Sequence, residues 1–371
     1  MDKVELGKGY KTEIIIPKIE DYTQPGFLFT RLTSDFDILL MRDIGFFEDH
    51  FVELEKAIIE EKGDEGRNIL YAIGKNSGYT YAKFSRMTTR QETSSEKSFS
   101  DYVEKLMLFI IGTYSGGGSY DYSINPFQFN FYFDDFIVCS KSGIGEIITS
   151  GSAAGIWSWL YGDKSIEGIQ VKCVGRGDER CKLIVSKPKV FEKNNYSFKK
   201  CTELIDIDMD NFYIEYNKPR KEEYSEYSLE EIIEVGIIYF KDNELLFKEK
   251  RISELDIHYV YYLEHFYDNI LLYEVTKKFY KKIGDIIGEQ LNEQYISNLM
   301  GALGWGDICM DDLTRILINN YPYTALHNKS SFPLIRGIMA GLISSLLKKD
   351  VNYVKTEKLI DNTFNIIIHT P

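Results

Sequence analysis

The sequence predicts an α+β fold built twice over, each copy a set of helices packed on a small antiparallel sheet. The stretch from Gly151 to Val185 reads as a Gly-x-x-Ala-Gly helix, a polar loop and an apolar strand, and Gly337 to Ile368 repeats that order with glycines again at the first and fifth positions. Upstream of each lies an alternating strand that ends in a polar pair, Asp134-Asp135 in one case and Asn319-Asn320 in the other, at a nearly constant offset. A chain of 371 residues accommodates two such copies of about 150 residues each.

Residues 1–24 read as a short arm outside the repeat, with Glu13 to Ile16 as a candidate edge strand, and Pro17 and Pro25 mark breaks. The first copy spans 25–187 and opens on a strand pair, FLFTRL then FDILLM. Phe47, Phe51, Leu54 and Ile58 recur at helical spacing among glutamates and predict an amphipathic helix ending near Gly63. A second helix follows from Asp64 to Phe84, with Gly74 and Gly78 one turn apart on one face. Glycine costs about 1 kcal/mol inside a helix, so this pair implies close approach by another backbone or a ligand, packing being the commoner cause. A third helix, Asp101 to Ile111, leads to Gly116-Gly117-Gly118 and the strand from Phe129.

A connecting segment, 188–231, is charged and tyrosine-rich, and is expected to be partly ordered and packed on a neighbour. Within it Leu204, Ile205, Ile207 and Met209 suggest a strand, and Asp206, Asp208 and Asp210 imitate an EF-hand start. Asn211 then replaces the turn glycine and Asn217 the bidentate glutamate. The second copy, 232–371, opens on two apolar runs around Lys241-Asp242-Asn243. Its LLYEVTKKFY pairs Tyr273 with Tyr71 and sets Thr276 and Tyr280 at the places of Gly74 and Gly78. The pair Gly284/Gly288 supports a rival register one turn away. GALGWG, 301–306, matches the triglycine, and Ser331 with Pro333 marks the last helix start.

Hydrophobic residues make up 44% and charged residues 27%, enough for real cores. The net charge of -13 argues against a role resting on phosphate neutralisation, so no nucleic-acid partner is expected. Five scattered cysteines without framework spacing fit a reducing, cytoplasmic compartment, and neither a signal peptide nor a membrane span is visible.

Cys173 and Cys181 flank Gly177-Asp178 in the loop of the first Gly-x-x-Ala-Gly unit. With the small-residue helix before them, these residues resemble the V4R (4-vinyl reductase) family, small-molecule-binding domains related in fold to the Bet3-type subunits of the TRAPP vesicle-tethering complex. The resemblance covers most of 25–187 and, more weakly, 232–371, so the second copy is read as degenerate. It implies a hydrophobic cavity for aromatic or lipid-like molecules, with Tyr71, Tyr79, Phe109, Trp157 and Trp159 as lining candidates. The alternative is that these aromatics are core. It also implies a structural zinc site in the first copy only, at Cys173, Cys181 and Glu146, with Gln170 at the family's acidic position. A neutral amide is a poor zinc ligand, and the other reading makes both thiols small buried hydrophobes. In copy two the matching positions are Lys358 and Phe364.

Enzyme templates fail on inspection. The triglycine lacks the Gly-Lys-Ser/Thr of a P-loop, GSAAG is not a nucleophile elbow, and the five histidines form no HExxH pair. His258 and His265 share a helix face but sit among Tyr and Leu, and Asp134-Asp135 are adjacent carboxylates that a strand turns to opposite sides. Three readings follow: a non-catalytic small-molecule sensor acting through protein partners, with homo-oligomer formation left open; a TRAPP-like assembly adaptor or scaffold; and, last, a reductase-associated enzyme.

Overall fold

The computed structural model describes residues 4–6, 25–26, 28–31, 40–85, 87–114, 118–124, 126–134, 146–201, 203–205, 207, 224–241, 244–267, 269–323, 330–359 and 365–370. The chain divides into two compact units. Unit 1 comprises Met1–Ile19, Leu32–Leu39 and Ile58–Asp206; unit 2 comprises Glu20–Arg31, Leu40–Ala57 and Ile207–Pro371. The opening strands of the first copy thus pack within unit 2.

Unit 1 is an antiparallel sheet with the helix Glu146–Tyr161 packed on one face and the short helix Pro188–Lys193 on the other. Its described elements are β1 (Val4–Leu6), α2 (Asp64–Phe84), α3 (Glu96–Tyr114), β4 (Gly118–Ile124), β5 (Phe127–Phe133), α4 (Glu146–Tyr161), β6 (Glu167–Lys172), β7 (Cys181–Ser186) and α5 (Pro188–Lys193), preceded by the end of α1 (Glu48–Lys62). The strands lie in the order β1-β4-β5-β7-β6. The first two helices fall where the apolar spacing predicts, α2 starting after Gly63, whose φ is +56°. The third is longer at both ends than the predicted 101–111.

The connecting segment is ordered in part. Pro188 at N1 starts α5, and Phe191 on it packs with Phe198 over Ile169 and Ile184. Leu204 and Ile205 form no strand. The Ile205 amide is taken by the Asn76 side chain at 2.7 Å instead of a ladder partner. Met209, the Asp206, Asp208 and Asp210 series, and the arm strand expected at Glu13 to Ile16 lie outside the described residues.

Unit 2 holds two sheets. One has the order β2-β3-β10-β9-β8, from β2 (Leu28–Arg31), β3 (Leu40–Phe47), β8 (Tyr239–Lys241), β9 (Glu244–Phe247) and β10 (Lys250–Asp256). Strands of the first copy therefore run antiparallel to strands of the second, with Phe47 opposite Ile252 and Asp43 opposite Asp256. The other sheet has the order β11-β12-β14-β13, from β11 (Asp307–Cys309), β12 (Arg315–Asn319), β13 (Lys355–Lys358) and β14 (Ile366–His369). Around them lie the first part of α1, then α6 (Leu229–Glu234), α7 (Ile257–Tyr267), α8 (Ile270–Ile287), α9 (Glu293–Ala302) and α10 (Pro333–Leu347).

The order of elements repeats. β3, α1, α2, α3, β4, β5, α4, β6 and β7 are followed by β10, α7, α8, α9, β11, β12, α10, β13 and β14 in the same sequence. The order β4-β5-β7-β6 also recurs as β11-β12-β14-β13. Side chains start several helices of the second set. Ser228 and Glu231 form a capping box on α6, Asn269 accepts the Leu271 and Leu272 amides of α8, and Asn292 accepts the Tyr295 amide of α9. α10 starts at Pro333 as expected, but without a serine cap. Phe332, with φ +50°, precedes the helix, Ser331 holds Arg336, and the Leu334 amide donates to the carboxylate of Glu264 at 3.1 Å.

Candidate functional site

Packing of α2 on α4 sets the geometry of unit 1. A Cβ added at Gly74 would lie 2.2 Å from the carbonyl oxygen of Ile148, and at Gly78 2.0 Å from that of Ser152. From the other side, a Cβ at Gly151 would lie 2.4 Å from the Tyr71 oxygen and at Gly155 2.1 Å from the Lys75 oxygen. Backbone, not ligand, fills the space these glycines leave. In unit 2 the same two contacts return as Gly337 on Tyr273 O and Gly341 on Lys277 O, so Tyr273 occupies the place of Tyr71 and the rival register falls. Gly284 meets the Ser345 side chain, and Gly288 ends α8 with φ +69°.

With α4 held this way, Trp157 and Tyr161 reach the sheet. On β5 Phe127, Phe129, Phe131 and Phe133 are all buried, while Gln128, Asn130 and Tyr132 alternate with them on a polar face where Asn130 donates to Asp121. The Trp157 ring centroid lies 4.5 Å from Phe129 and 5.3 Å from Phe127, and Tyr161 lies 4.1 Å from Phe127. Phe99 of α3 meets Tyr161 edge-on, and Tyr120 lies beside Phe129.

Two hydroxyls enter this aromatic layer without a hydrogen-bond partner among the described residues, those of Tyr122 and Tyr161. Tyr122 stands opposite Phe129 in the β4–β5 ladder, on the layer's side of the sheet. Burial pushes the Tyr161 hydroxyl up to about 12 against the opposing charge of Arg90, and the neighbouring Tyr122 adds to the rise. Tyr161 is therefore a hydrogen-bond donor at neutral pH and a poor base.

The sequence-predicted lining residues do not gather here as a set. Trp157 is in the layer. Tyr79 and Trp159 meet each other edge-on at 5.6 Å elsewhere on the helix pair, where the Trp159 indole donates to Met87 O and Lys164 lies over Tyr79. The side chain of Phe109 lies outside the described residues. Tyr71 belongs to a buried polar cluster: its hydroxyl donates to Glu167 Oε2 at 2.7 Å and accepts from the Gly168 amide at 2.9 Å. Sequence reasoning missed Phe99, Tyr122, Phe127 and Tyr161, though the alternation FQFNFYF signalled Phe127.

One turn beyond Tyr71, the fully buried Lys75 ammonium pairs with Glu167 Oε2 at 2.9 Å and donates to Lys164 O at 3.0 Å. Burial raises the Glu167 carboxyl while Lys75 and Tyr71 hold it down. Its other oxygen accepts the Cys201 amide at 3.0 Å, tying the connecting segment to unit 1. Unit 2 repeats the pair. Tyr273 and Lys277 both donate to Asn352, at 3.2 and 2.6 Å, and Lys277 also pairs with Asp350. These groups staple the loop after the Gly-x-x-Ala-Gly helix in each copy.

Cys173 and Cys181 are both buried, beside a turn in which Gly177 has φ +92° and Asp178 accepts the Cys173 amide at 2.8 Å and returns its own amide to Cys173 O. Cys181 Sγ accepts from the Val174 amide at 3.3 Å, which sets it beside the Cys173 end of the turn. As a zinc site the described donors amount to two thiols. Gln170 offers an amide, its backbone oxygen holding Arg176, and the Glu146 side chain lies outside the described residues. No group of three or more His, Cys, Asp or Glu converges among the described residues, and a structural zinc takes four ligands. Asp134 pairs with Arg180 at 2.7 Å, and Asp135 lies outside the description. On α7 burial pushes His258 down to about 3 and lowers His265, as expected of packed rings.

No family model matches the chain, and no curated protein does. Among solved structures the chain is similar to the phenol-responsive sensory domain of the transcription activator PoxR with phenol. The likeness has 16% identity and a TM-score of 0.32, and covers 52% of this chain and 92% of that one. Among the described residues, no helix is long and apolar enough to cross a membrane.

Proposed function

We propose that unit 1 is a receptor for a small aromatic or lipid-like molecule, that it works without catalysis through protein partners, and that the chain is a tandem pair of V4R-like copies. The observation that carries this reading is the pair of unpartnered hydroxyls, Tyr122 and Tyr161, set in a layer otherwise made of Phe99, Phe127, Phe129 and Trp157. Leaving a buried hydroxyl unsatisfied costs about 1–3 kcal/mol, which a ligand offering a polar atom would recover. Apolar walls with a few convergent polar groups are the usual make-up of a small-molecule site.

Unit 2 contrasts with it at the matching positions. With Gly341 at the place of Gly155, Ile343 and Leu347 stand on α10 where unit 1 has Trp157 and Tyr161 on α4. This supports a division of labour in which the first copy binds at this layer and the second serves as scaffold.

The test uses the full chain and two probes, 2-naphthol and naphthalene, followed by tryptophan fluorescence and native mass spectrometry. The expected result is a preference for the hydroxylated probe of about tenfold, the worth of one hydrogen bond. Tyr122→Phe and Tyr161→Phe should each reduce that preference. Failure to bind either probe, with no small molecule carried through purification, would overturn the receptor reading and favour the adaptor.

A further inference from the structure

Arg90 stands at the rim of the aromatic layer of unit 1. It lies in the turn between α2 and α3, where its amide donates to Leu160 O at 2.7 Å and its carbonyl accepts the Thr93 hydroxyl at 2.7 Å, so its backbone is fixed against the end of α4. Its guanidinium carbon lies over the Tyr161 ring, 5.4 Å from the centroid, and Phe127 lies 4.1 Å from that ring. The cation thus rests on the residue whose hydroxyl is buried without a partner among the described residues.

The ion pair that Arg90 makes is a weak one. Its Nη2 meets Glu96 Oε1 at 3.1 Å, with the side chains 37% and 70% exposed. An exposed pair of this kind is worth about fivefold at most. Glu92, in the same turn, is taken up by the Thr89 amide and hydroxyl.

Granted that unit 1 is a receptor, the reading on which this rests, we infer that its ligand is an aromatic carboxylic acid, bound as the anion, whose carboxylate draws Arg90 from Glu96 and accepts from the tyrosine hydroxyls. A carboxylate carries acceptors alone, on two oxygens, and so answers both Tyr122 and Tyr161. A ligand hydroxyl has one oxygen and a hydrogen of its own to place. Burial holds the Tyr161 hydroxyl protonated, as a donor. A carboxylate deep in an apolar layer would be costly without a cation beside it. Tyr161 is only partly buried, so the charge would stay at the layer's edge, next to Arg90. There a charge-assisted hydrogen bond exceeds a neutral one by about tenfold, more than Glu96 offers the same guanidinium.

Tryptophan fluorescence and native mass spectrometry of the full chain at neutral pH, with 2-naphthoate, 2-naphthol and naphthalene as probes, test this. 2-Naphthoate should bind about tenfold more tightly than 2-naphthol. Arg90→Met should cut the ratio of those two affinities by about tenfold, and Glu96→Gln, which removes the competing carboxylate, should raise it by about threefold. A chain that binds 2-naphthol and takes 2-naphthoate no more tightly overturns the acid and leaves the receptor reading standing. So does a ratio that survives Arg90→Met or, should that variant not fold, one that Glu96→Gln leaves unmoved. Binding of none of the three probes overturns both.

Discussion

Lys75 shows how far a single buried charge can matter. Its ammonium has 0% exposure and faces Glu167 at 1%, so Lys75→Met leaves a carboxylate buried without its cation. Removing one partner of such a pair costs about 3–5 kcal/mol, and urea denaturation should show that loss. Adding Glu167→Gln to the same chain should restore much of it. Lys277→Met in the second copy makes a contrast, because Asp350 is 66% exposed and water replaces the lost partner, for a cost of about 1 kcal/mol or less. The spacing Tyr-x-x-x-Lys stands in the sequence at both places. It passes unnoticed because lysine on a helix is ordinarily a surface residue, and only the packing shows that its stem runs inward. The cysteines were legible as a pair but not as a chemistry. Two thiols beside a turn predict a cost of about 1–2 kcal/mol for Cys173→Ser, whereas loss of a stoichiometric zinc would cost several. Elemental analysis alongside denaturation reads both.

At the scale of elements, the close pairing of helices was written in glycines. Gly74 and Gly78 at one-turn spacing announced a close approach, and the Gly-x-x-Ala-Gly helix supplied the surface that makes it. What could not be read was the register in the second copy. There Gly284 and Gly288 are decoys, one facing a serine side chain and the other ending a helix at positive φ, while Thr276 and Tyr280 sit on the seam itself. Gly155→Ala would press a methyl group to within 2.1 Å of the backbone oxygen of Lys75, which cannot move without its helix. About 3 kcal/mol of destabilisation is expected, at the upper end of overpacking costs. Gly284→Ala meets side chains and no backbone oxygen, Ser345 Cβ at 2.6 Å and Leu291 Cδ2 at 3.2 Å, and should cost less, about 1–2 kcal/mol. Thermal unfolding of the two variants side by side checks the order. The aromatic layer makes an opposite prediction. Tyr122→Phe removes a buried hydroxyl that has no partner, so the empty chain should be as stable as the wild type or slightly more so.

At the scale of the whole chain, the repeated order of elements was legible from the two Gly-x-x-Ala-Gly stretches, but the exchange of strands was not. The apolar runs FLFTRL and FDILLM, and those around Lys241-Asp242-Asn243, say that strands open each copy; they do not say which strand each will meet. That pairing brings His50, at the start of α1, into unit 2. There its ring is stacked between Phe46 and Phe279, and its Nε2 lies 3.0 Å from the Thr276 hydroxyl. Complete burial pushes it down to about 3. A histidine lowered in this way gives stability that is fully present above its unfolded value of 6.5 and is lost as pH falls towards the folded one. His258 acts in the same direction and Asp256, whose carboxyl burial raises, in the opposite one, so the absolute profile is a sum of several groups. The difference between two chains isolates one of them. His50→Phe keeps an aromatic ring in the stack and removes the proton acceptor. Relative to the wild type it should therefore gain about 1.4 kcal/mol for each pH unit below 6.5, offset by a constant for the lost Thr276 bond. Urea midpoints at intervals from pH 7 to pH 4 measure that slope directly, and parallel profiles for the two chains would mean that His50 takes up its proton as readily folded as unfolded.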